Sequence, residues 1–244
     1  MSEEVQAELK KRSRRGFLVW MAGAAGVVLG WEWITHAPKR DGLRAPLRAA
    51  EEFNARLWQA YQRPGRLAET FDKSRASEPK VNGKTGLEEG FDPSTWSLEV
   101  DGLADGQPRK LGLADIEQLP KVEITTYLKC VEGWSTVVTW GGCPVAEFAK
   151  VYGPMAEAEH LAAETPEGGY YVGLDLASAL HPQTLLCYEL NGQPLSLDHG
   201  GPLRLAVPIK YGIKSLKRIG KLAWVKQRPK DYWAERGYDY YSGH

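Results

Sequence analysis

The chain has 244 residues, 43% hydrophobic and 25% charged, enough apolar material to close the core of one ordinary soluble domain with appendages. Lys plus Arg and Asp plus Glu number 31 each, so no global charge points to nucleic acid as a partner. Three cysteines, Cys130, Cys143 and Cys187, form no C-x-x-C pair and no zinc spacing, and their odd number leaves at least one sulfur outside any internal disulfide.

The first element reads as an address. Lys10, Lys11, Arg12, Arg14 and Arg15 precede a run without charge from Gly16 to Trp31, the pattern of an export signal. Ser13-Arg14-Arg15-Gly16-Phe17-Leu18 resembles the twin-arginine translocation signal. That implies the twin-arginine export machinery as a partner and a periplasmic or other extracytoplasmic location. The run is short against the roughly 20 apolar residues that span a bilayer, no clean A-x-A cleavage site follows it, and Trp31 and Trp33 suit a membrane interface. Residues 1–34 therefore read as a signal or a membrane anchor.

Residues 35–74 read as a linker and a helix. Pro, Lys, Arg and Gly fill 35–45. Leu47, Ala50, Phe53, Leu57 and Tyr61 then recur at helical spacing with Arg48, Glu51, Glu52 and Arg56 between them, which predicts an amphipathic helix packed on the domain. Pro64-Gly65 should end it. Residues 72–95 are polar and rich in Gly, Pro and Asp, a long loop of the kind that is often functional.

The remainder, 75–244, reads as one α+β domain with strands dominant. Trp96–Val100, Val122–Leu128, Tyr170–Leu174, Leu185–Leu190, Leu203–Val207 and Leu222–Val225 carry strand patterns. Leu113–Leu119 and Val145–Val151 carry helical ones, and 178–180 a short turn or helix. Asp101-Gly102 and Asn191-Gly192 mark turns. There is no repeat, no Gly-x-Gly-x-x-Gly and no P-loop. The nine Trp are an unusual number, and some should line a groove where each indole N–H finds a partner.

Two stretches carry chemistry. Cys130 leaves a strand into Val131-Glu132-Gly133-Trp134-Ser135. A cysteine there is either a small buried apolar residue or a functional thiol, with Lys129 beside it to favour the thiolate. His199-Gly200-Gly201-Pro202-Leu203-Arg204 is followed by Tyr211-Gly212-Ile213-Lys214-Ser215-Leu216-Lys217. The glycine pair would let backbone approach a ligand, and Arg, His and Lys around two turns could cradle a phosphate. A solvated basic face is the alternative.

Taken together, and in this order, Lys129–Ser135, His199–Arg204 and Tyr211–Lys217 resemble the sulfite oxidase superfamily. Within it they look like the molybdopterin-binding domain of the periplasmic protein-methionine-sulfoxide reductase catalytic subunits, over roughly residues 75–233. The resemblance implies a molybdenum–molybdopterin cofactor, with the Cys130 thiolate as metal ligand and catalytic residue. It implies that His199 and Arg204 contact the pterin phosphate. His199 matches the sulfite oxidases, whereas the methionine-sulfoxide reductases carry Asn there. Ser215, Leu216 and Lys217 would close over the phosphate through backbone N–H groups and the lysine ammonium. Thr165 and Asn82 would contact the pterin.

The activity so implied is two-electron oxo transfer on a sulfoxide-like substrate, small or protein-borne. Sulfite oxidation by the same fold is the alternative. However, the sulfite oxidases place an arginine soon after the ligand cysteine, and Glu132 here would repel an anion. A non-catalytic membrane-tethered binding module and a thiol enzyme with His181 or His199 as base are further alternatives. No b-type cytochrome region, C-terminal dimerisation domain or long insertion before Tyr170 is legible. Electrons would then come from a separate membrane haem or quinone-linked protein. Cys143 and Cys187 could pair or stay as two buried thiols. The aromatic tail 230–241 reads as surface packing or as part of a substrate mouth.

Overall fold

In a computed structural model, which describes residues 3–61 and 65–244, the chain forms two compact units divided at Glu51/Glu52. The first unit opens with helix α1 (Glu3–His36). Its span Lys10–His36 contains an 18-residue stretch of mean hydropathy 1.5, long and apolar enough to cross a membrane by length and composition, and none of that stretch is buried. At 1.5 Å per residue the whole span covers about 40 Å, against a hydrocarbon layer of about 30 Å. Ala37 N–H still donates to the Trp33 carbonyl (3.0 Å) before Pro38 stops the helix.

The expected linker after α1 is an ordered hairpin instead. Strands β1 (Lys39–Arg40) and β2 (Leu43–Arg44) turn on Asp41 and Gly42, both at positive φ (46° and 80°). The buried Arg48 of helix α2 (Ala45–Tyr61) ties this hairpin down. Its guanidinium donates to the Arg40 carbonyl (3.4 Å) and to that of Asp41, and pairs with Glu51 at 2.7 Å.

The periodicity of α2 is as the sequence predicts, but its packing is not. Phe53 and Leu57 are 60% and 55% exposed, so this apolar face has no cover among the described residues. The Pro64 stop lies outside the described residues.

The second unit is two five-stranded sheets joined by short helices. Its elements in chain order are β3 (Leu98–Asp101), β4 (Arg109–Leu111), α3 (Leu113–Glu117), β5 (Val122–Lys129), β6 (Ser135–Pro144) and α4 (Val145–Val151). There follow β7 (His160–Glu164), β8 (Tyr171–Asp175), α5 (Leu176–Ala179), β9 (Leu185–Leu190), β10 (Gln193–Pro194), β11 (Arg204–Ala206) and β12 (Lys221–Val225). One sheet runs β10-β9-β6-β5, with β11 also on β9; the other runs β4-β3-β12-β7-β8, antiparallel except for the parallel pair β3/β12. This is the strand-rich α+β architecture expected.

The core explains why these segments fold as they do. Leu98, Val100, Leu161, Leu174, Leu222 and Trp224 present the inner face of the second sheet to Phe148, Leu186, Leu203 and Leu205. Burying each such side chain is worth about 1.5–3 kcal/mol. A smaller cluster, Val138, Trp140, Leu185, Cys187, Leu190 and Ala206, covers the opposite face of the first sheet.

Central strands β6 and β9 thus bury both faces. A β-bulge where the register shifts between Gly141 and Gly142 lets them do so. A Cβ on Gly142 would lie 2.1 Å from the Leu186 carbonyl oxygen, so only glycine fits. Cys143 and Cys187 belong to the two different clusters, on opposite faces of this sheet, and both are free thiols. The open question of their pairing is settled by the pleat.

Candidate active site and cofactor cradle

The antiparallel pair β5/β6 places Cys130. Lys129 and Ser135 are its last paired residues, and the five residues between them make a closed loop. Cys130 N–H donates to the Trp134 carbonyl (2.9 Å), and Gly133 N–H, at φ +87°, donates to the Cys130 carbonyl (3.1 Å). The thiol leaves the strand half-buried in the wall of a cavity of about 320 Å³, within the usual size for a cofactor or ligand site. Asn82 Nδ2 donates to Cys130 Sγ at 3.7 Å and to Glu132 Oε2 at 3.4 Å. Trp134 Nε1 donates to the same carboxylate oxygen at 2.8 Å.

Burial and the Glu132 carboxylate hold the Cys130 thiol above the usual cysteine range, with Lys80 opposing them. Lys129 does not act on the thiol as the sequence suggested. The pleat sends its ammonium the other way, 3.2 Å from His244 Nδ1. A raised thiol pKa without an imidazole partner is the opposite of an activated nucleophile. His181 is outside the cavity lining, its Nε2 3.2 Å from the Arg66 carbonyl and its Nδ1 accepting from Gln183 N–H at 3.2 Å. His199 lines the cavity, where burial, Lys217 and Arg204 press its pKa below the usual imidazole value.

The same cavity is lined by His199, Arg204, Ser215 and Lys217. A short turn, Leu197–His199, closes on Gly200 at φ +95°, and Gly201-Pro202 follows as a cis peptide. The packing of the chain itself already requires the glycine pair. A Cβ on Gly200 would meet Lys217 Cβ at 2.5 Å, and one on Gly201 the Leu195 carbonyl oxygen at 2.3 Å.

Arg204 is 3% exposed. Its Nη1 donates to the His199 carbonyl (2.9 Å), its Nη2 to the Ser215 carbonyl (3.0 Å), and its guanidinium stands 5.0 Å over the Trp140 ring. Burial brings its pKa down to about 10. Lys217 Nζ donates to the carbonyls of Asn82 (2.7 Å), Asp198 (2.7 Å) and Gly83 (3.2 Å), and burial, then Arg204, brings its pKa down to about 8.

Neither cation forms a salt bridge with a described carboxylate. For Arg204, desolvated charge without a counter-ion is costly, so the cradle around it suits an anionic group. The thiol in the same cavity suits a soft metal. The residues present therefore fit a metal–pterin phosphate.

The structure brings six sequence-predicted residues to one cavity: Asn82, Cys130, His199, Arg204, Ser215 and Lys217. Thr165 and Leu216 stand behind it. Thr165 is 1% exposed, and its Oγ1 accepts from Tyr170 N–H at 3.1 Å. Leu216 is fully buried in the larger core cluster, its carbonyl accepting from Leu205 N–H at 2.8 Å.

The expectation that some Trp line a groove with partnered N–H groups is met here, though the sequence did not say which aromatic residues would. Trp140, Tyr170, Trp233 and Tyr238 line the cavity. Tyr170 OH donates to the Ile213 carbonyl (2.6 Å) and accepts from Trp233 Nε1 (3.0 Å). The tail bearing Trp233 is anchored by the buried pair Lys214 Nζ–Asp231 Oδ2 at 2.5 Å, so the tail is part of the mouth.

Comparison with known proteins agrees. Residues 85–233 match the oxidoreductase molybdopterin binding domain family. A relative from Azospira oryzae, provisionally named protein-methionine-sulfoxide reductase subunit YedZ1, is 32% identical over 206 residues, covering 83% of this chain and 78% of its own. The protein-methionine-sulfoxide reductase catalytic subunit MsrP of Xanthomonas campestris is 37% identical over 155 residues, covering 57% of this chain and 48% of its own, so the chain spans about half of that protein. The sulfane dehydrogenase SoxCD of Paracoccus pantotrophus, at 18% identity and a TM-score of 0.54 over 70% of this chain and 53% of its own, shares the fold. The chain belongs to the oxidoreductase molybdopterin binding domain family of the sulfite oxidase superfamily, whose cofactor is molybdenum–molybdopterin.

Proposed function

We propose that the chain reduces a sulfoxide-like substrate, small or protein-borne, by two-electron oxo transfer. In net terms a sulfoxide takes two electrons and two protons and leaves as a thioether and water. The bound molybdenum–pterin supplies the two-electron redox step. Cys130 contributes the thiolate ligand, and Asn82, 3.7 Å from its sulfur, orients that ligand. Arg204, His199 and the main chain of 215–217 hold the phosphate end, with Thr165 and Leu216 supporting from behind.

The observation that carries this reading is that one cavity is lined both by a thiol and by a buried arginine that has no salt-bridge partner among the described residues. Glu132, beside the thiol, favours a neutral substrate over sulfite. The names of the two reductase relatives support the same substrate class.

Export by the twin-arginine machinery, with α1 as signal or anchor, and a membrane haem or quinone-linked electron donor complete the proposal. Its units are 1–34 (signal or anchor), 35–74 (hairpin and helix in place of the expected linker and helix) and 75–244 (the oxidoreductase domain).

The test is side-by-side turnover of molybdenum-loaded protein on sulfoxides and N-oxides with a reduced dye and on sulfite with an oxidised one. Sulfoxide reduction should dominate. Faster sulfite oxidation overturns the substrate assignment, and folded protein that takes up no pterin from a cofactor-competent host overturns the enzyme.

A further inference from the structure

Residues 77–92 run beside the cavity as a strap and give it Pro79, Lys80, Asn82 and Thr85. Two consecutive basic residues hold this strap to the turn at 197–201. Lys217 Nζ reaches the carbonyls of Asn82 and Gly83 in the strap and that of Asp198 in the turn. Arg218, buried and at φ +49°, donates to the Glu88 carbonyl (3.3 Å) in the strap and to those of Gly201 (3.4 Å) and Leu197 (3.5 Å) in the turn. Its guanidinium also lies 4.0 Å from the Phe91 ring. A lysine ammonium has three N–H donors, and three carbonyls from two separate segments use all of them.

We propose that Lys217 is a positioning residue, a buckle that locks the strap and sets Asn82 beside Cys130, and that it does not donate to the phosphate. Arg204 fits the anion role better: its two terminal nitrogens carry four N–H groups, of which two meet carbonyls. The lock itself needs no cofactor; its effect on Cys130 rests on the cofactor reading above.

The test compares loaded and cofactor-free full-length protein. In the unaltered chain, an amine-acylating reagent should modify Lys217 far more slowly than exposed Lys80 in both forms, because the carbonyls are present in both. A phosphate ligand would instead be protected only when loaded. Trypsin should cut after Lys80 and Lys84 about tenfold faster in Lys217→Met than in wild type, loaded or not, since local opening then loses a charged hydrogen-bond set. Lys217→Arg should restore slow cutting. Equal cutting in wild type and Lys217→Met, or rapid acylation of Lys217 on cofactor removal alone, overturns the buckle. The acylation arm decides if the variant does not fold, and neither arm depends on turnover.

Discussion

The loop that carries Cys130 and the cradle around Arg204 hold charge in opposite ways. At the cradle, Arg204 and Lys217 are desolvated, donate to main-chain carbonyls and form no salt bridge with a described carboxylate. Around the thiol, Glu132 and Lys80 are exposed on loops, and only Asn82 and Trp134 organise the carboxylate. The cradle is rigid and prepared for an anion; the loop stays open to solvent and to whatever reacts there. This is the division expected when a fold anchors a cofactor by its phosphate and leaves the metal face to the substrate.

The contrast can be broken or sharpened by substitution. Cys130→Ser should cost more than about a hundredfold in turnover, beyond the effect of losing an outer-shell partner, with the fold intact by circular dichroism. Arg204→Met should lower cofactor retention by about tenfold to a hundredfold, the worth of one charged hydrogen bond or slightly more, read as molybdenum per chain after dialysis. Unchanged retention would remove the cradle from the account. Glu132→Gln acts at the open loop, where solvent screens, and should improve competition by anions such as sulfite by about fivefold, leaving metal content unchanged.

The smallest expected effect is a pH slope. The folded pKa of Lys217, about 8, lies below its ordinary 10.5. Between those values the unfolded chain keeps a proton that the folded chain has released. Stability of the cofactor-free protein therefore rises with pH through that window on account of this group. Urea unfolding at pH 8, 9 and 10 should show a shallower rise for Lys217→Met; parallel slopes would contradict the burial of this ammonium.

What the sequence discloses follows the same division. The cradle residues are legible because they lie close along the chain, around turns with marked glycine chemistry. Even there packing adds a reason of its own: Gly200 and Gly201 admit Lys217 and the Leu195 carbonyl. The surroundings of the thiol are assembled from distant segments, so Lys129 looked like the partner of Cys130 when Lys80 is the cation that acts on it.

Strand β6 carries no sequence expectation because both its faces are buried, which erases alternation, and Gly141, Gly142 and Pro144 interrupt it. Strand β7, His-Leu-Ala-Ala-Glu, has weak strand propensity and is decided by pairing with β12 and β8 on its two sides. Strands β5 and β9 sit within a residue of their expected limits.

The central claim is that the sulfur of residue 130 binds the metal. X-ray absorption at the molybdenum edge, on wild type and Cys130→Ser protein produced with cofactor, tests it without any assumption about substrate. The account predicts that the metal loses one sulfur neighbour in the variant while the pterin sulfurs remain. An unchanged sulfur count in the two proteins would contradict it.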